Sequence, residues 1–329
     1  MRMMSLLCFC LLAAVPANAQ STPDMFPHAV QFVTVETDTK LEVLDWGGQG
    51  RPLVLLAGKG FTAHAFDTFA SKLTAVYHVY GITRRGYGKS SVPPPTDENY
   101  SADRLGKDVL SVIEQLHLKR PVLAGHSIAG EELSYVGNNA PDSVAGLVYL
   151  DAAYAYAFYD PSIGDLTIDY NTLRQQLEQF TALKPMKERK QLLHEIAEGL
   201  PRFEKDLAPY RERMEAIPDN APGPPDTPAV HVDIAIFRGE QKFKGVKCPV
   251  LAIYADPHSF GGQYKNNPDA LKAAQAKDHM ETSAQADAFQ RGTPQATVLR
   301  IANADHFVFQ SNEGEVLQAM NDFIASLPQ

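Results

Sequence analysis

Cysteine is scarce in this sequence, with three in 329 residues. Two of them, Cys8 and Cys10, lie in an apolar run from Leu6 to Val15. Arg2 precedes that run and Ala17-Asn18-Ala19 follows it. A positive start, a short apolar stretch and an A-x-A site read as a secretory leader, residues 1–19, cleaved after Ala19. The run is too short to anchor the chain across a bilayer. No small-residue lipobox precedes either cysteine. Export to the periplasm or the medium would leave Cys248 as the one cysteine, which excludes an intramolecular disulfide. Cys248 has no basic partner beside it and reads as a buried spacer rather than a nucleophile.

Positive charge is also in short supply. Lys and Arg number 30 against 39 Asp and Glu, a formal charge of −9, or −10 once Arg2 is removed. That balance argues against nucleic acid or an anionic membrane as the main partner. Beyond the leader there is no hydrophobic run long enough for a transmembrane helix, so no membrane anchor is expected. Internal repeats are absent. Gly58-Lys59-Gly60 lacks the Gly-x-x-x-x-Gly-Lys-[Ser/Thr] frame of a phosphate-binding loop. The histidines are scattered, without close pairs at ligand spacing, so no metal site is expected.

What remains is pattern. Val30 to Trp46 alternates as two antiparallel strands around a turn at Thr37-Asp38-Thr39, with Val35, Leu41, Val43 and Leu44 packed. Leu53 to Ala57 is continuously apolar, as in a strand buried on both faces. Phe66 to Leu73 has helical spacing, and Tyr77 to Ile82 is a further strand. Ala102 to Leu118 is an amphipathic helix with Leu105, Val109, Val112, Ile113 and Leu116 on one face. Pro121 to Ala124 and Val144 to Leu150 read as strands flanking a helix from Glu131 to Asn138. This alternation implies an α/β fold, a mostly parallel doubly wound sheet. From residue 153 to 246 the pattern turns helical and charged, at Leu173 to Leu183, Met186 to Leu200 and Phe203 to Ile217, and ends in a Pro-rich stretch. Strands resume at Pro249 to Ala255 and Thr297 to Ile301, and Glu313 to Leu327 closes the chain as a helix. The division is therefore a core of residues 20–152 and 247–329 with a helical cap, residues 153–246, inserted between two sheet strands. Ligands of such sheets bind outside the carboxyl ends of the strands.

Val122 to Gly130 carries the chemistry. A short apolar strand runs into small residues around Ser127 and then into a helix start, the recipe for a nucleophile elbow. Gly125 and Ala129 flank Ser127 two residues away on each side, Ala129 standing where glycine is usual. The helix N-terminus faces the serine, and the Ile128 amide can donate to a developing oxyanion. A serine hydroxyl needs a base within hydrogen-bond reach.

These landmarks resemble the α/β-hydrolase superfamily, from about Val30 to the C-terminus. Leu55 to Phe61 is similar to the family's oxyanion loop, with Ala57-Gly58 where His-Gly is usual. Thr83 to Ser90 is similar to its Arg-Gly-x-Gly-x-Ser loop, and Asn303 to Phe307 to its late histidine loop. The resemblance implies His306 as the base and an aspartate to orient it. Asp151, directly after the strand before the cap, fits one arrangement used by certain lipases. Asp256 lies in the loop after the strand that follows the cap, about two residues early for the usual arrangement, with His258 at the usual position. Both stay open, and Asp305, next to the base, is a weaker candidate. The oxyanion donors would be the amides of Ile128 and of Lys59 or Gly60. His126 packs or lines the pocket. His64, His78, His117 and His258 read as surface or loop residues, with the pocket mouth an alternative place for His64 and His258. Arg84 and Arg85 support loop structure. Tyr154, Tyr156 and Phe158 either line an acyl or aryl pocket or pack cap onto sheet.

The expected activity is a serine hydrolase, a carboxylic-ester hydrolase working through an acyl-enzyme, acting on a small-molecule ester or amide and needing no cofactor. An aminopeptidase or amidase is a second reading, with Glu131, Glu132 and Asp160 available to hold an amine. A cofactor-free perhydrolase is a third, and a non-catalytic ligand-binding module a fourth. Oligomeric state is not legible.

Overall fold

The computed structural model describes residues 26–328, so the predicted leader lies outside the described residues. Eight strands form one sheet: β1 (Ala29–Glu36), β2 (Thr39–Gly47), β3 (Pro52–Leu56), β4 (His78–Ile82), β5 (Val122–His126), β6 (Gly146–Leu150), β7 (Val250–Ala255) and β8 (Ala296–Ile301). Their spatial order is β1-β2-β4-β3-β5-β6-β7-β8. β1 pairs antiparallel with β2, and β2 with β4. Every pair from β4 to β8 is parallel. The first hairpin turns at Thr37-Asp38, and its inner residues are Val33, Leu41, Val43 and Leu44. Val35, expected to be packed, is only half-buried because β1 is the sheet edge.

The helices are α1 (Asp67–Leu73), α2 (Asp97–Tyr100), α3 (Ala102–Gln115), α4 (Gly130–Asn139), α5 (Leu166–Thr181), α6 (Met186–Glu215), α7 (Pro228–Gly239), α8 (Pro268–Gly292), α9 (Val308–Ser311) and α10 (Glu313–Ser326). One face of the sheet packs on α3, α4 and α8 through residues such as Val112, Leu133 and Phe289. The other packs on α1, α9 and α10 through Phe69, Phe309 and Met320. Burying both faces is why the parallel strands are continuously apolar. Among the described residues no helix is long and apolar enough to cross a membrane.

Helices α5, α6 and α7 occupy the segment between β6 and β7. Sequence spacing breaks the second of these at Pro201, but α6 runs 30 residues through Pro201 and Pro209. A proline frees a carbonyl one turn earlier. In a helix with only Leu192 and Ile196 buried, water can take that carbonyl. Besides the one-turn helices α2 and α9, two longer helices were not expected. α7 opens inside the Pro-rich stretch, where Thr227 caps it and Pro228 takes the first turn. α8 is capped by Asn267 followed by Pro268, and its buried face is Thr282, Gln285, Ala286, Ala288 and Phe289. Such a small and polar face carries little helical hydrophobic periodicity.

The cap seats on the core through α7. Val232, Ala235 and Ile236 pack with Tyr87, Tyr100, Leu105 and Ile128. That contact lies beside the carboxyl ends of β4 and β5, which Tyr87 and Ile128 follow.

Candidate active site

β5 ends at His126, and Ser127 to Ala129 form one tight helical turn before α4. Ser127 has φ +54°, the left-handed region that a non-glycine residue enters at a cost on the order of 1–3 kcal/mol. Close packing enforces the turn. A Cβ on Gly130 would stand 1.9 Å from the Ala152 carbonyl oxygen. That glycine therefore lets the elbow helix press directly on the chain leaving β6, which carries Asp151. A Cβ on Gly125 would meet Ala129 Cβ at 3.1 Å, so alanine fits where glycine is usual because its partner position is bare.

Ser127 Oγ lies 2.9 Å from His306 Nε2, and His306 Nδ1 lies 2.6 Å from Asp151 Oδ2. Asp151 is fully buried, at φ +48° just past β6. Its Oδ1 accepts from the Ala255 amide at 3.0 Å and from the Tyr154 hydroxyl at 2.7 Å. Its Oδ2 also accepts from His258 Nε2 at 2.8 Å. Burial alone would raise this carboxyl, but hydrogen bonds from His258 and His306 outweigh it and hold it well below the usual carboxylate range.

Asp256, the other candidate acid, faces elsewhere. Its Oδ1 takes His279 Nδ1 at 2.6 Å, and its Oδ2 takes the Ser283 hydroxyl at 2.6 Å. Both partners are on α8, so the carboxylate is turned toward that helix and not toward His306. Asp305 accepts from the Phe307 amide at 3.0 Å and shapes the histidine loop. His126 Nε2 donates to the His306 carbonyl at 3.1 Å, and its ring stacks 4.5 Å from Phe307. Burial, followed by the neighbouring His306, pushes His126 down to about 3, so it is neutral and steadies the loop.

The Gly58 loop presses on the elbow, since a Cβ there would stand 2.8 Å from His126 Nδ1 and 3.1 Å from Ser127 Cβ. The Tyr87 hydroxyl, near the Gly60 backbone, donates to Asp233 Oδ1 on α7 at 2.5 Å. The Lys59 ammonium reaches out to Asp233 Oδ2 at 3.5 Å and lies over the Phe237 ring. Arg84 grips Glu132 through two bonds, 2.7 and 2.9 Å, and also donates to the Ala57 carbonyl. Arg85 holds Asp108 at 2.6 Å and Glu36 at 2.7 Å.

The three aromatic candidates separate. Tyr156 lies near Ser127 and packs, partly buried, against the cluster of Tyr87, Ile128 and Val232. Tyr154 serves Asp151. Phe158 is a core residue, packed edge-on to Phe289 at 5.8 Å and filling the space beside Gly292. It is directed inward under α8, away from the serine. His64, by contrast, is on the surface beside Asp67 and His28.

Sequence reasoning passed over three participants. His258 bonds both Asp278 and Asp151, and the one available signal was that His258 stands where the family places its acid. Glu240, at the end of α7, is buried near Glu131 and Tyr156. Glu131 has both carboxylate oxygens buried without a hydrogen-bond partner. Burial, then Glu132, pushes its carboxyl well above the usual range. Glu132 is committed to Arg84, and Asp160 lies with Ser162 and Arg291 away from the serine.

Asp151, His258 and His306 each bring a ligand-type atom within 4.8 Å of the others. Here both imidazoles turn those nitrogens onto one carboxylate oxygen as donors, which suits a hydrogen-bonded relay better than a cation cage. Cys248 is buried, and burial pushes its thiol up to about 11, the state of an inert spacer.

Comparison with known proteins bears on the family and the fold. Over 110 residues the chain is 33% identical to the non-heme chloroperoxidase CPO-A1 of Kitasatospora aureofaciens, covering 33% of this chain and 38% of the relative. It is 30% identical over 136 residues to the sn-1-specific diacylglycerol lipase ABHD11 of Xenopus laevis, covering 41% of each. The chain thus spans about two-fifths of the length of these relatives. A putative acyltransferase from Salmonella enterica superposes with a TM-score of 0.60 at 17% identity, covering 94% of this chain and 98% of that one. A thermophilic esterase from Thermogutta terrifontis gives 0.55 at 19% identity, covering 91% and 98%. At those identities the superpositions speak for the fold alone. The family profile for the alpha/beta hydrolase fold matches residues 51–313, and the chain belongs to that family.

Proposed function

We propose that the protein is a serine hydrolase of carboxylic esters working through an acyl-enzyme. The observation that carries this reading is the continuous line from Ser127 Oγ through His306 to Asp151, at 2.9 and 2.6 Å, with the serine held in a strained turn. Ser127 Oγ attacks the ester carbonyl carbon while its proton passes to His306 Nε2. Asp151 holds the ring in the tautomer that leaves Nε2 basic and stabilises the imidazolium that forms. The amides of Ile128 and of Lys59 or Gly60 receive the oxyanion. His306 then returns the proton to the leaving alcohol. Water repeats the sequence in deacylation, with His306 again taking and giving the proton. Tyr156, which lies near Ser127, forms the acyl wall. The leader pattern supports export, which the N-terminal mass of the protein recovered outside the cytoplasm tests.

The test is hydrolysis of p-nitrophenyl acetate, butyrate and octanoate, with Ser127→Ala beside the native chain. Turnover falls by about 10⁴-fold or more in the variant. Undiminished turnover by a folded Ser127→Ala protein overturns the mechanism. A fluorophosphonate label on Ser127 separates an enzyme from an inert binding module.

A second reading narrows the acyl group. Glu131 has no hydrogen-bond partner for either oxygen, and with Glu240 it sits close to Tyr156. Two buried carboxyls beside the nucleophile favour an acyl group bearing an amine, whose three donors satisfy them. Alanine p-nitroanilide and alanine ester are then preferred over uncharged acyl analogues, and Glu240→Gln removes the preference. Equal turnover of charged and neutral substrates by the native enzyme sinks this reading. The relatives named chloroperoxidase support a variant outcome, in which hydrogen peroxide replaces water at deacylation and releases a peracid. Ser127-dependent peracid formation tests it.

A further inference from the structure

His258 stands on the loop after β7, and the structure lays it against Asp151. Its Nε2 is 2.8 Å from Asp151 Oδ2, the same oxygen that takes His306 Nδ1 at 2.6 Å. Its Nδ1 is 3.1 and 3.0 Å from the two oxygens of Asp278 on α8. Its backbone amide donates to Asp278 Oδ2 at 2.6 Å. A neutral imidazole has one N–H and one lone pair. Set between two carboxylates, it would aim that lone pair at an anion, so the arrangement requires a proton on both nitrogens.

The two histidine loops are also tied to each other. Ser259 donates to the Ala304 carbonyl at 2.7 Å, and Asn303 to the Pro257 carbonyl at 2.8 Å. The His258 and His306 rings are held 6.3 Å apart.

We propose that His258 is a positioning residue, a fixed imidazolium clamped between Asp151 and Asp278 that offsets the charge Asp151 presents to His306. The role rests on the Ser127–His306–Asp151 chemistry proposed above. The groups facing His258 are Asp151 past β6, Asp278 on α8, the Tyr154 hydroxyl at 3.4 Å and His306 past β8. Asp256, on its own loop, is turned to His279. Burial opposes the charge, but Asp151 and Asp278 outweigh it and push the group up to about 10. A base facing an uncompensated buried carboxylate keeps its proton to higher pH. Sharing that carboxylate with a cation lets the base release its proton at lower pH, which extends activity toward the acid side.

The test is the pH profile of kcat/KM on p-nitrophenyl acetate for the native protein, His258→Gln and Asp278→Asn. Glutamine keeps a donor for Asp151 and removes the charge. The acid limb moves up by about one pH unit in His258→Gln, and in the same direction by less in Asp278→Asn. An acid limb that stays in place or moves down overturns the proposal, whatever happens to the plateau, because a purely structural prop lowers the rate without moving the limb. Nitrogen-15 NMR of the native protein's imidazoles at about pH 8, above the ordinary histidine range, gives an answer independent of turnover and of variant folding. His258 protonated on both nitrogens supports the role, and a neutral tautomer overturns it. Failure of Ser127→Ala to abolish turnover counts against the hydrolase mechanism alone and leaves the NMR result standing.

Discussion

Two clusters in this molecule contain a serine, a histidine and a buried aspartate. One is Ser127, His306 and Asp151; the other is Ser283, His279 and Asp256. Their aspartates follow neighbouring strands, β6 and β7. In the first, the carboxylate binds Nδ1 and the serine faces Nε2, so the ring spans the pair. In the second, Nδ1 of His279 faces both the carboxylate at 2.6 Å and the serine at 3.3 Å, and the serine donates straight to the carboxylate. No proton can pass across that ring from serine to acid-held imidazole. Ser283 also lies in the middle of α8, whereas Ser127 is thrust out by its strained turn. The same three residue types form a serine–imidazole–carboxylate line in one place and a helix-to-strand tie in the other. Orientation about the imidazole, more than composition, decides the chemistry.

Substitutions at the two aspartates break or sharpen this contrast most directly. Asp151→Asn leaves the shape but offers His306 the wrong partner, and kcat on p-nitrophenyl acetate falls by on the order of 10⁴. Next comes the loop that presses on the elbow. Gly58→Ala puts a methyl group against His126 and Ser127, and kcat falls roughly 10- to 100-fold as the nucleophile is displaced. The fold tolerates this better than the chemistry does, which far-ultraviolet circular dichroism checks.

The pH dependence of stability gives a smaller effect of defined sign. The folded value of His258, about 10, lies above the unfolded value of about 6.5. Its contribution is therefore complete below the unfolded value and is lost as pH rises through about 10. Tm falls across that window in the native protein and falls less in His258→Gln. Asp151 has the opposite sign, being depressed, so its contribution is lost as pH drops into the acid range. Smallest of all, Asp256→Asn leaves kcat within about twofold, since it shares no partner with the serine cluster. It lowers the unfolding free energy by about 1–2 kcal/mol through weakened bonds to His279 and Ser283. A large loss of kcat there would erase the distinction between the clusters.

Much of the fold was legible because each element announces itself locally. The continuous apolar runs at Leu53–Leu56 and Leu147–Leu150 are strands buried on two faces. α3 shows its apolar stripe at Leu105, Val109, Val112 and Ile113. α8 was illegible because its buried face is alanine, threonine and glutamine, which lack helical contrast. α7 was hidden in a Pro-rich stretch, although Thr227-Pro228 is a helix-start signal. Phe158 looked like a pocket residue by its neighbours Tyr154 and Tyr156. It faces the core because successive residues of that tight segment point in different directions.

The sequence by itself determined the strand-turn-helix around Ser127, the candidate histidine loop and the order of the parallel strands' apolar runs. These depend on side chains a few positions apart, on small residues at a sharp turn and on which faces must leave water. Only the tertiary structure brought Asp151, and not Asp256, to His306 and decided where His258 goes. Residues 107 and 155 positions from Asp151 meet on its one carboxylate oxygen. That meeting follows from the register of β6, β7 and β8 and from a glycine that lets α4 touch the chain after β6, neither of which local spacing encodes.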